Sequence, residues 1–186
     1  MRKAFAIVLV FAGVAFLGAG TYTVMRGFDA KAEVKDQLLA QRITTPEDAA
    51  IPNALVQDAA TAHAMANIIG VHASEATGGK TYAEMGRFLA ADGGDTSDEA
   101  AALKDADGNP VANPLRNVAF QASALQTSLH SSHLAFEVAN LVIGLGVLII
   151  ALGFITGGTG IVFGGLSLPS LARASRVERV VARPTV

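Results

Sequence analysis

The sequence predicts an all-α integral membrane protein, a helical hairpin of two transmembrane helices with an extracytoplasmic helical domain between them. Three observations support this fold class. Of the 186 residues, 51% are hydrophobic and only 16% are charged. Two blocks, residues 4–24 and 138–172, contain no Asp, Glu, Lys or Arg. About 20 such residues cross the hydrocarbon of a bilayer as a helix, so lipid is the expected solvent for both blocks.

The third observation is the distribution of charge along the chain. The flanks outside the two blocks carry six Lys and Arg against one acidic residue, whereas residues 26–137 carry eight Lys and Arg against fifteen Asp and Glu. Short basic flanks remain on the cytoplasmic side of a membrane. We therefore expect a multi-pass plasma-membrane protein with both termini cytoplasmic and the central loop extracytoplasmic. The predicted lipid and topology anchors are Arg2, Lys3, Arg173, Arg176, Arg179 and Arg183.

Residues 1–25 are predicted as the first transmembrane helix, with a cytoplasmic N-terminus. The alternative is a cleaved signal peptide, in which residues 18–20 (GAG) would be a small-residue cleavage site before Thr21. The uncharged run of about 21 residues is longer than the usual 7–15-residue core of a signal peptide, which favours the retained helix.

Residues 26–136 are predicted as a mostly helical extracytoplasmic domain. Val34 and Leu38 recur at helical spacing among charged residues, so the first helix should continue outward as an amphipathic stalk. Thr45 followed by Pro46 is typical of a helix start, which predicts a single further turn there.

The rest of this domain is predicted from its helix-breaking residues and from the spacing of its apolar residues. An Ala-rich helix should occupy residues 53–76 and end at the Gly pair 78–79. Residues 86–115 are acidic and Gly-rich, and predict a mobile tip with a short helix at 97–104 and no strand. A heptad-like apolar stripe from Val118 to Phe136 then runs without a breaker into the second block.

Residues 137–168 are predicted as a long Gly-rich transmembrane helix, followed by a basic cytoplasmic tail at 169–186. One alternative ends the helix near Thr156 and makes residues 157–160 (GGTG) a loop. The other is a continuous helix to about Leu166, which we favour because five glycines then share one face and could let a second helix approach closely. These predicted interface residues are Gly146, Gly153, Gly157, Gly160 and Gly164. The first block offers a weaker partner surface at Ala12, Ala15, Ala19 and Gly20.

The group of residues that most clearly indicates chemistry is a candidate metal site on one helix. His130, His133 and Glu137 are spaced i, i+3 and i+7, so all three project from one side where the helix enters the second block. Two His and one carboxylate form a common ligand set for iron, zinc or copper. A single helix seldom supplies three ligands with correct geometry, and polar residues are common at a membrane interface without any metal, which favours the structural interpretation over the metal site. His63 and His72, nine residues apart, cannot ligate one ion from one helix.

Other chemistry is not indicated. The chain has no Cys, which excludes disulfides, thiolate catalysis and Cys-ligated metals. It carries no P-loop, nucleophile-elbow or dinucleotide-binding motif. It also has no cluster of basic residues of the kind that binds nucleic acid. We expect no enzymatic activity, no resident cofactor and no small-molecule substrate.

Four segments carry a family resemblance. Residues 43–49 (ITTPEDA), 58–62 (DAATA), 75–84 (EATGGKTYAE) and 128–132 (SLHSS) resemble a family of small actinobacterial two-span membrane proteins. Members are often labelled aromatic ring-opening dioxygenases, although the αβ architecture of such enzymes is not predicted here. The likeness covers the chain from the first span to about Phe154, and its motifs carry no known chemistry. It implies a two-span actinobacterial envelope protein.

These observations lead to a functional hypothesis with alternatives. We expect a non-catalytic membrane protein that acts through helix–helix association, as an accessory or structural subunit of an envelope complex; the respiratory supercomplex is one example by analogy. Its partners would be membrane lipid and other membrane subunits or a second copy of itself. The alternative is an extracytoplasmic metal- or haem-binding redox protein using His130, His133 and Glu137. An oligomeric pore is disfavoured by the scarcity of polar residues in the spans.

Overall fold

The computed structural model describes residues 1–165. The described chain divides into two compact units, one formed by Met1–Phe28 with residues 141–165, the other by Asp29–Asn140. Both are dominated by helix. The elements in chain order are α1 (Arg2–Gln41), α2 (Ala59–Ala76), a 3₁₀ turn (Tyr82–Glu84), β1 (Phe88–Leu89), β2 (Asp95–Thr96) and α3 (Pro114–Gly164).

Helix α1 is one continuous helix of 40 residues, which confirms that the first apolar block continues as a helical stalk. It contains no proline, and it ends before Arg42, whose φ of +52° leaves the helical region. Both α1 and α3 are long and apolar enough to cross a membrane. The chain is thus mostly helical, with two long apolar helices.

Helix α3 extends over 51 residues without a break. It begins at Pro114, a residue preferred at the first helical position, and the side-chain oxygen of Asn113 accepts a hydrogen bond from Leu115 N–H at 3.1 Å. Residues 157–160 are helical, so the continuous-helix alternative is confirmed and the loop is wrong. Gly165 follows with a φ of +63°, as at many helix ends. The predicted stop near Pro169, the basic tail and Arg173, Arg176, Arg179 and Arg183 lie outside the described residues.

Helix α2 is shorter than predicted at its N-terminus and ends where expected. Asp58 caps it by accepting the backbone N–H of Thr61 at 2.8 Å, while the Thr61 hydroxyl accepts the N–H of Asp58 at 3.1 Å. At the other end Gly78 and Gly79 have φ values of +63° and +82°, which glycine adopts most easily. The helix cannot start at 53 because residues before Asp58 make other hydrogen bonds.

Those hydrogen bonds form a closed loop between α1 and α2. Thr45 exchanges backbone hydrogen bonds with the segment at Asn53 and Ala54, and Val56 N–H donates to Ile43 C=O at 2.9 Å. The Thr45 side chain is 1% exposed, and its hydroxyl accepts the N–H of Ala54 at 2.9 Å. The predicted single turn forms, since Ala49 N–H donates to Pro46 C=O at 3.2 Å. The predicted capping role of Thr45 is wrong, because its hydroxyl holds the two sides of this loop together instead.

The tip contains strand structure that the sequence did not predict. β1 and β2 pair antiparallel, with Phe88 opposite Thr96, around a turn where Gly93 has a φ of +96°. Isolated bridges join Ala90 to Ala102 and Lys104 to Pro110. The short helix predicted at 97–104 is therefore wrong: these residues hydrogen-bond across the tip, where Leu103 N–H donates to Leu89 C=O at 2.8 Å.

The apolar core of the second unit lies where α1, α2 and α3 meet. The predicted stripe on α3 supplies Leu129 and Phe136, which are 4% and 3% exposed. Small residues of α2 allow the helices to approach, since Ala62 and Ala66 are fully buried. The cluster consists of Leu38, Val56, Ala62, Ala66, Leu129 and Phe136.

Candidate functional site

In the first unit α1 and α3 pack backbone against backbone at glycine. A methyl group added to Gly13 would lie 2.6 Å from the Cα of Gly157, and one added to Gly20 would lie 2.8 Å from the carbonyl oxygen of Gly146. A methyl group on Gly160 would lie 2.9 Å from the carbonyl oxygen of Ala6. Atoms do not approach this closely, so a side chain at these glycines would force the helices apart. We call this contact the glycine interface; its residues are Ala6, Gly13, Gly20, Gly146, Gly153, Gly157 and Gly160.

The glycine interface follows a seven-residue period on both helices. Within the first unit, Ala6, Gly13, Gly20 and Gly27 are the buried positions of α1, and Gly146, Gly153 and Gly160 are those of α3. The structure thus brings four of the five predicted interface glycines against α1 of the same chain. The fifth, Gly164, lines an open groove with Lys3 and residues near the start of α1.

The partner surface predicted on α1 is largely displaced from this contact. Ala15 and Ala19 are exposed, and of the four predicted residues Gly20 has the close approach to α3. The signal that identifies the correct face is the repeat of small residues at positions 6, 13 and 20, which is hard to recognise in the sequence because Ala is common throughout the block. Arg2 and Lys3, the predicted N-terminal anchors, are both exposed.

A second line of small residues on α3 is uncovered. Gly144, Ala151 and Gly158 are also seven apart, and all three are exposed. Among residues 1–165, a methyl group at Gly144 or Gly158 would meet no atom within 4 Å beyond its chain neighbours and the adjacent backbone of α3. The same holds for Gly18 on α1. We call Gly144, Ala151 and Gly158 the open glycine face.

In the second unit three imidazoles meet between α2 and α3. The ring of His63 lies 4.9 Å from that of His133 and 5.6 Å from that of His130, centroid to centroid. His133 Nδ1 is 3.0 Å from the carbonyl oxygen of Ala59, which can only accept, so Nδ1 carries the hydrogen. The His133 ring is half-buried, while His63 and His130 are exposed. We call these residues the histidine cluster.

The predicted ligand set of His130, His133 and Glu137 is not assembled in this arrangement. Among residues 1–165, no three His, Cys, Asp or Glu side chains are grouped to hold a metal ion. The residue that joins the two histidines of α3 is His63 of α2. Sequence spacing reports which residues share a helix face, whereas this contact depends on how two helices pack. His72, by contrast, points to the loop, where its Nε2 lies 2.7 Å from Asp48 Oδ2.

Hydrogen bonds set the ionisation of several loop carboxylates. The His72 contact lowers the pKa of Asp48. The Lys80 ammonium, 2.8 Å away, is the main cause of a lowered pKa at Asp95, which also accepts the backbone N–H of Gly86. The backbone N–H of Thr61 lowers the pKa of Asp58. Asp58 caps α2, Asp48 pairs with His72, and Asp95 in β2 links its strand to Lys80 and Gly86.

An open cleft of about 510 Å³ lies where the tip meets the start of α3. The Arg116 guanidinium stacks 3.9 Å from the centre of the Tyr82 ring, and its Nε donates to the carbonyl of Met85 at 3.1 Å. Tyr82 in turn packs against Phe120, with ring centroids 5.7 Å apart. Arg116 thereby joins the tip to α3.

Comparison of the chain with protein-family models, with curated proteins and with solved structures finds no match. The functional argument therefore depends on the geometry of the chain. That geometry offers a glycine interface in the first unit, an open glycine face on α3, and a histidine cluster in the second unit.

Proposed function

We propose that the chain is a non-catalytic two-span plasma-membrane protein that acts through helix–helix association, as an accessory or structural subunit of a larger membrane complex or as a self-associating unit. In this proposal both termini are cytoplasmic and residues 29–140 form the extracytoplasmic domain. The two long apolar helices support membrane insertion, and the acidic central region with basic flanks supports this orientation.

The glycine interface supports a hairpin that is complete within one chain. In lipid there is no hydrophobic drive to pair helices, and close packing of small residues supplies the attraction instead. The pairing of Gly13 with Gly157 would use that attraction to hold the two spans together. Gly146, Gly153, Gly157 and Gly160 are then occupied, so a partner would need a different surface.

The observation that carries the proposal is the open glycine face. Two small-residue lines with the same seven-residue spacing lie on α3, and only one is covered by described residues of this chain. The neighbouring exposed residues are bulky, including Leu141, Leu148 and Phe154. Gly144 and Gly158 therefore mark the positions where another helix could reach the backbone of α3 most closely.

The association is tested by replacing both Gly144 and Gly158 with Ile and purifying the protein from native membranes in mild detergent. We expect the wild type to run as a complex whose subunits mass spectrometry identifies, and the double variant to run as a folded single chain. Gly18→Ile is the matched control, because that glycine is equally open on α1. A wild type that purifies alone, or a double variant that keeps its complex, would contradict the proposal.

The orientation is tested separately with a membrane-impermeant maleimide on intact cells. The natural chain has no Cys, so any labelling of a single-Cys variant comes from the introduced residue. Ala91→Cys in the tip should react, whereas Thr185→Cys, which leaves the basic anchors in place, should react only after the cells are opened. The reverse pattern would refute the proposed topology while leaving the association result intact.

A further inference from the structure

We propose that the histidine cluster binds a borderline divalent transition-metal ion, with His63 of α2 and His133 of α3 as its two protein ligands. This site differs from the three-ligand set expected on α3 alone, because it joins two helices. It uses two imidazoles and leaves the remaining coordination positions to water or to an added ligand.

The ring separation fits shared ligation. Zn–N bonds are about 2.0 Å long, so the centres of two imidazoles bound to one tetrahedral ion lie about 5 Å apart. The His63 and His133 rings are 4.9 Å apart and tilted by 37°. His130 places a third imidazole 5.6 Å from His63.

The hydrogen bond of His133 supplies the second argument. Metal-binding histidines usually donate their other ring N–H to a carbonyl or carboxylate, which fixes the tautomer and the ring orientation. His133 Nδ1 donates to Ala59 C=O at 3.0 Å, so in the neutral ring Nε2 keeps its lone pair. Ala59 is the first residue of α2, four positions before His63. The same helix therefore orients one ligand and supplies the other.

The nitrogen ligands of the two histidines determine which metal ions the site should bind. Imidazole nitrogen is a good ligand for Cu²⁺, Zn²⁺ and Ni²⁺. When the ligands are the same, Cu²⁺ binds more tightly than Zn²⁺ or Ni²⁺. Ca²⁺ and Mg²⁺ require oxygen ligands, which the pair does not offer. Cu²⁺ should therefore bind with the highest affinity, Zn²⁺ more weakly, and Mg²⁺ without measurable affinity.

The experiment titrates the full-length protein, purified in detergent without a polyhistidine tag, with Cu²⁺, Zn²⁺ and Mg²⁺ separately. Calorimetry gives affinity and stoichiometry, and the electron paramagnetic resonance spectrum of bound Cu²⁺ reports nitrogen ligation. We expect one Cu²⁺ per chain with nitrogen ligands, and at least a tenfold loss of affinity in both His63→Gln and His133→Gln. Zn²⁺ should raise the melting temperature of the wild type but of neither variant.

His72→Gln is the matched control, because His72 lies on α2 but contacts Asp48 rather than the cluster. It should bind Cu²⁺ as the wild type does. Circular dichroism and gel filtration of each variant without metal verify that the fold survives. The inference is overturned if the wild type binds no Cu²⁺, if His63→Gln binds it unchanged, or if His72→Gln loses it equally.

Discussion

Gly13 of α1 and Gly157 of α3 lie so close that a methyl group on Gly13 would come within 2.6 Å of the Gly157 Cα and of its backbone nitrogen. The obstructing atoms belong to backbone, which cannot rotate away as the end of a side chain can. The contact therefore depends on the absence of a side chain at Gly13, because a methyl group on Gly157 would lie 3.7 Å from the Gly13 Cα, an ordinary van der Waals distance.

Gly13→Ile should separate the two helices of the first unit. The added side chain has no space at the glycine interface, and overpacking of this kind costs about 1–3 kcal/mol. We expect a lower midpoint of thermal unfolding in detergent. Gly18→Ile adds the same side chain to the same helix at an open position, and should unfold near the wild-type temperature. Equal midpoints for the two variants would show that the close approach does not stabilise the hairpin.

Asp58 should stabilise the fold because it caps the N-terminus of α2 and carries a negative charge there. Asp58→Ala removes the cap of α2 and should cost about 1 kcal/mol of unfolding free energy at neutral pH. Asp58→Asn should cost much less, because Asn caps helices equally well. Chemical unfolding of the three proteins at pH 7 measures the difference, and an Asn variant as unstable as the Ala variant would refute the capping role.

The pH dependence of that contribution has a definite sign. The hydrogen bond from Thr61 N–H lowers the folded-state pKa of Asp58 below its ordinary value. The charged cap therefore stabilises fully above the unfolded pKa, and its contribution is lost as the pH falls through the folded value. The stability of Asp58→Asn should change less than that of the wild type below about pH 4. A wild-type acid response identical to that of Asp58→Asn would contradict this assignment.

Asp48 should report the loss of its histidine partner. His72→Ala removes the hydrogen bond that lowers the pKa of Asp48, so this pKa should rise toward its ordinary value. Titration of the carboxyl carbons by nuclear magnetic resonance measures it. The pKa of Asp95, lowered mainly by Lys80, should stay unchanged and serves as the internal reference. Because the pair is exposed, the variant should fold as well as the wild type.

The long helices and the end of α2 could be predicted because each depends on local signals. The uncharged blocks define α1 and α3, and Gly78 and Gly79 supply the positive φ that ends α2. The tip could not be predicted this way. Its strands are two residues long and are held by bridges such as that between Ala90 and Ala102, which no local periodicity records.

The candidate sites show the same division. The glycines of α3 could be recognised as an interface from spacing, since residues seven apart share a helix face. Their partner could not, because small residues occur on several faces of α1 and only packing selects Gly13 and Gly20. His63 is far from His130 and His133 along the chain, because the whole tip lies between them. The three rings come together only because α2 packs against α3, so spacing alone could not predict the histidine cluster.

Arg116 should stabilise the junction of the tip with α3 through its planar guanidinium. It stacks on Tyr82 and donates from Nε to Met85 C=O, and lysine can reproduce neither contact in the same geometry. An exposed cation–π contact contributes about 0.5–1 kcal/mol, so Arg116→Lys should accelerate hydrogen exchange in residues 82–97 about two- to fivefold. Tyr82→Phe keeps the ring face and should exchange as the wild type does, whereas Tyr82→Leu should resemble Arg116→Lys. If Arg116→Lys and the wild type exchange at the same rate, charge alone holds this junction and the stacking geometry has no energetic role.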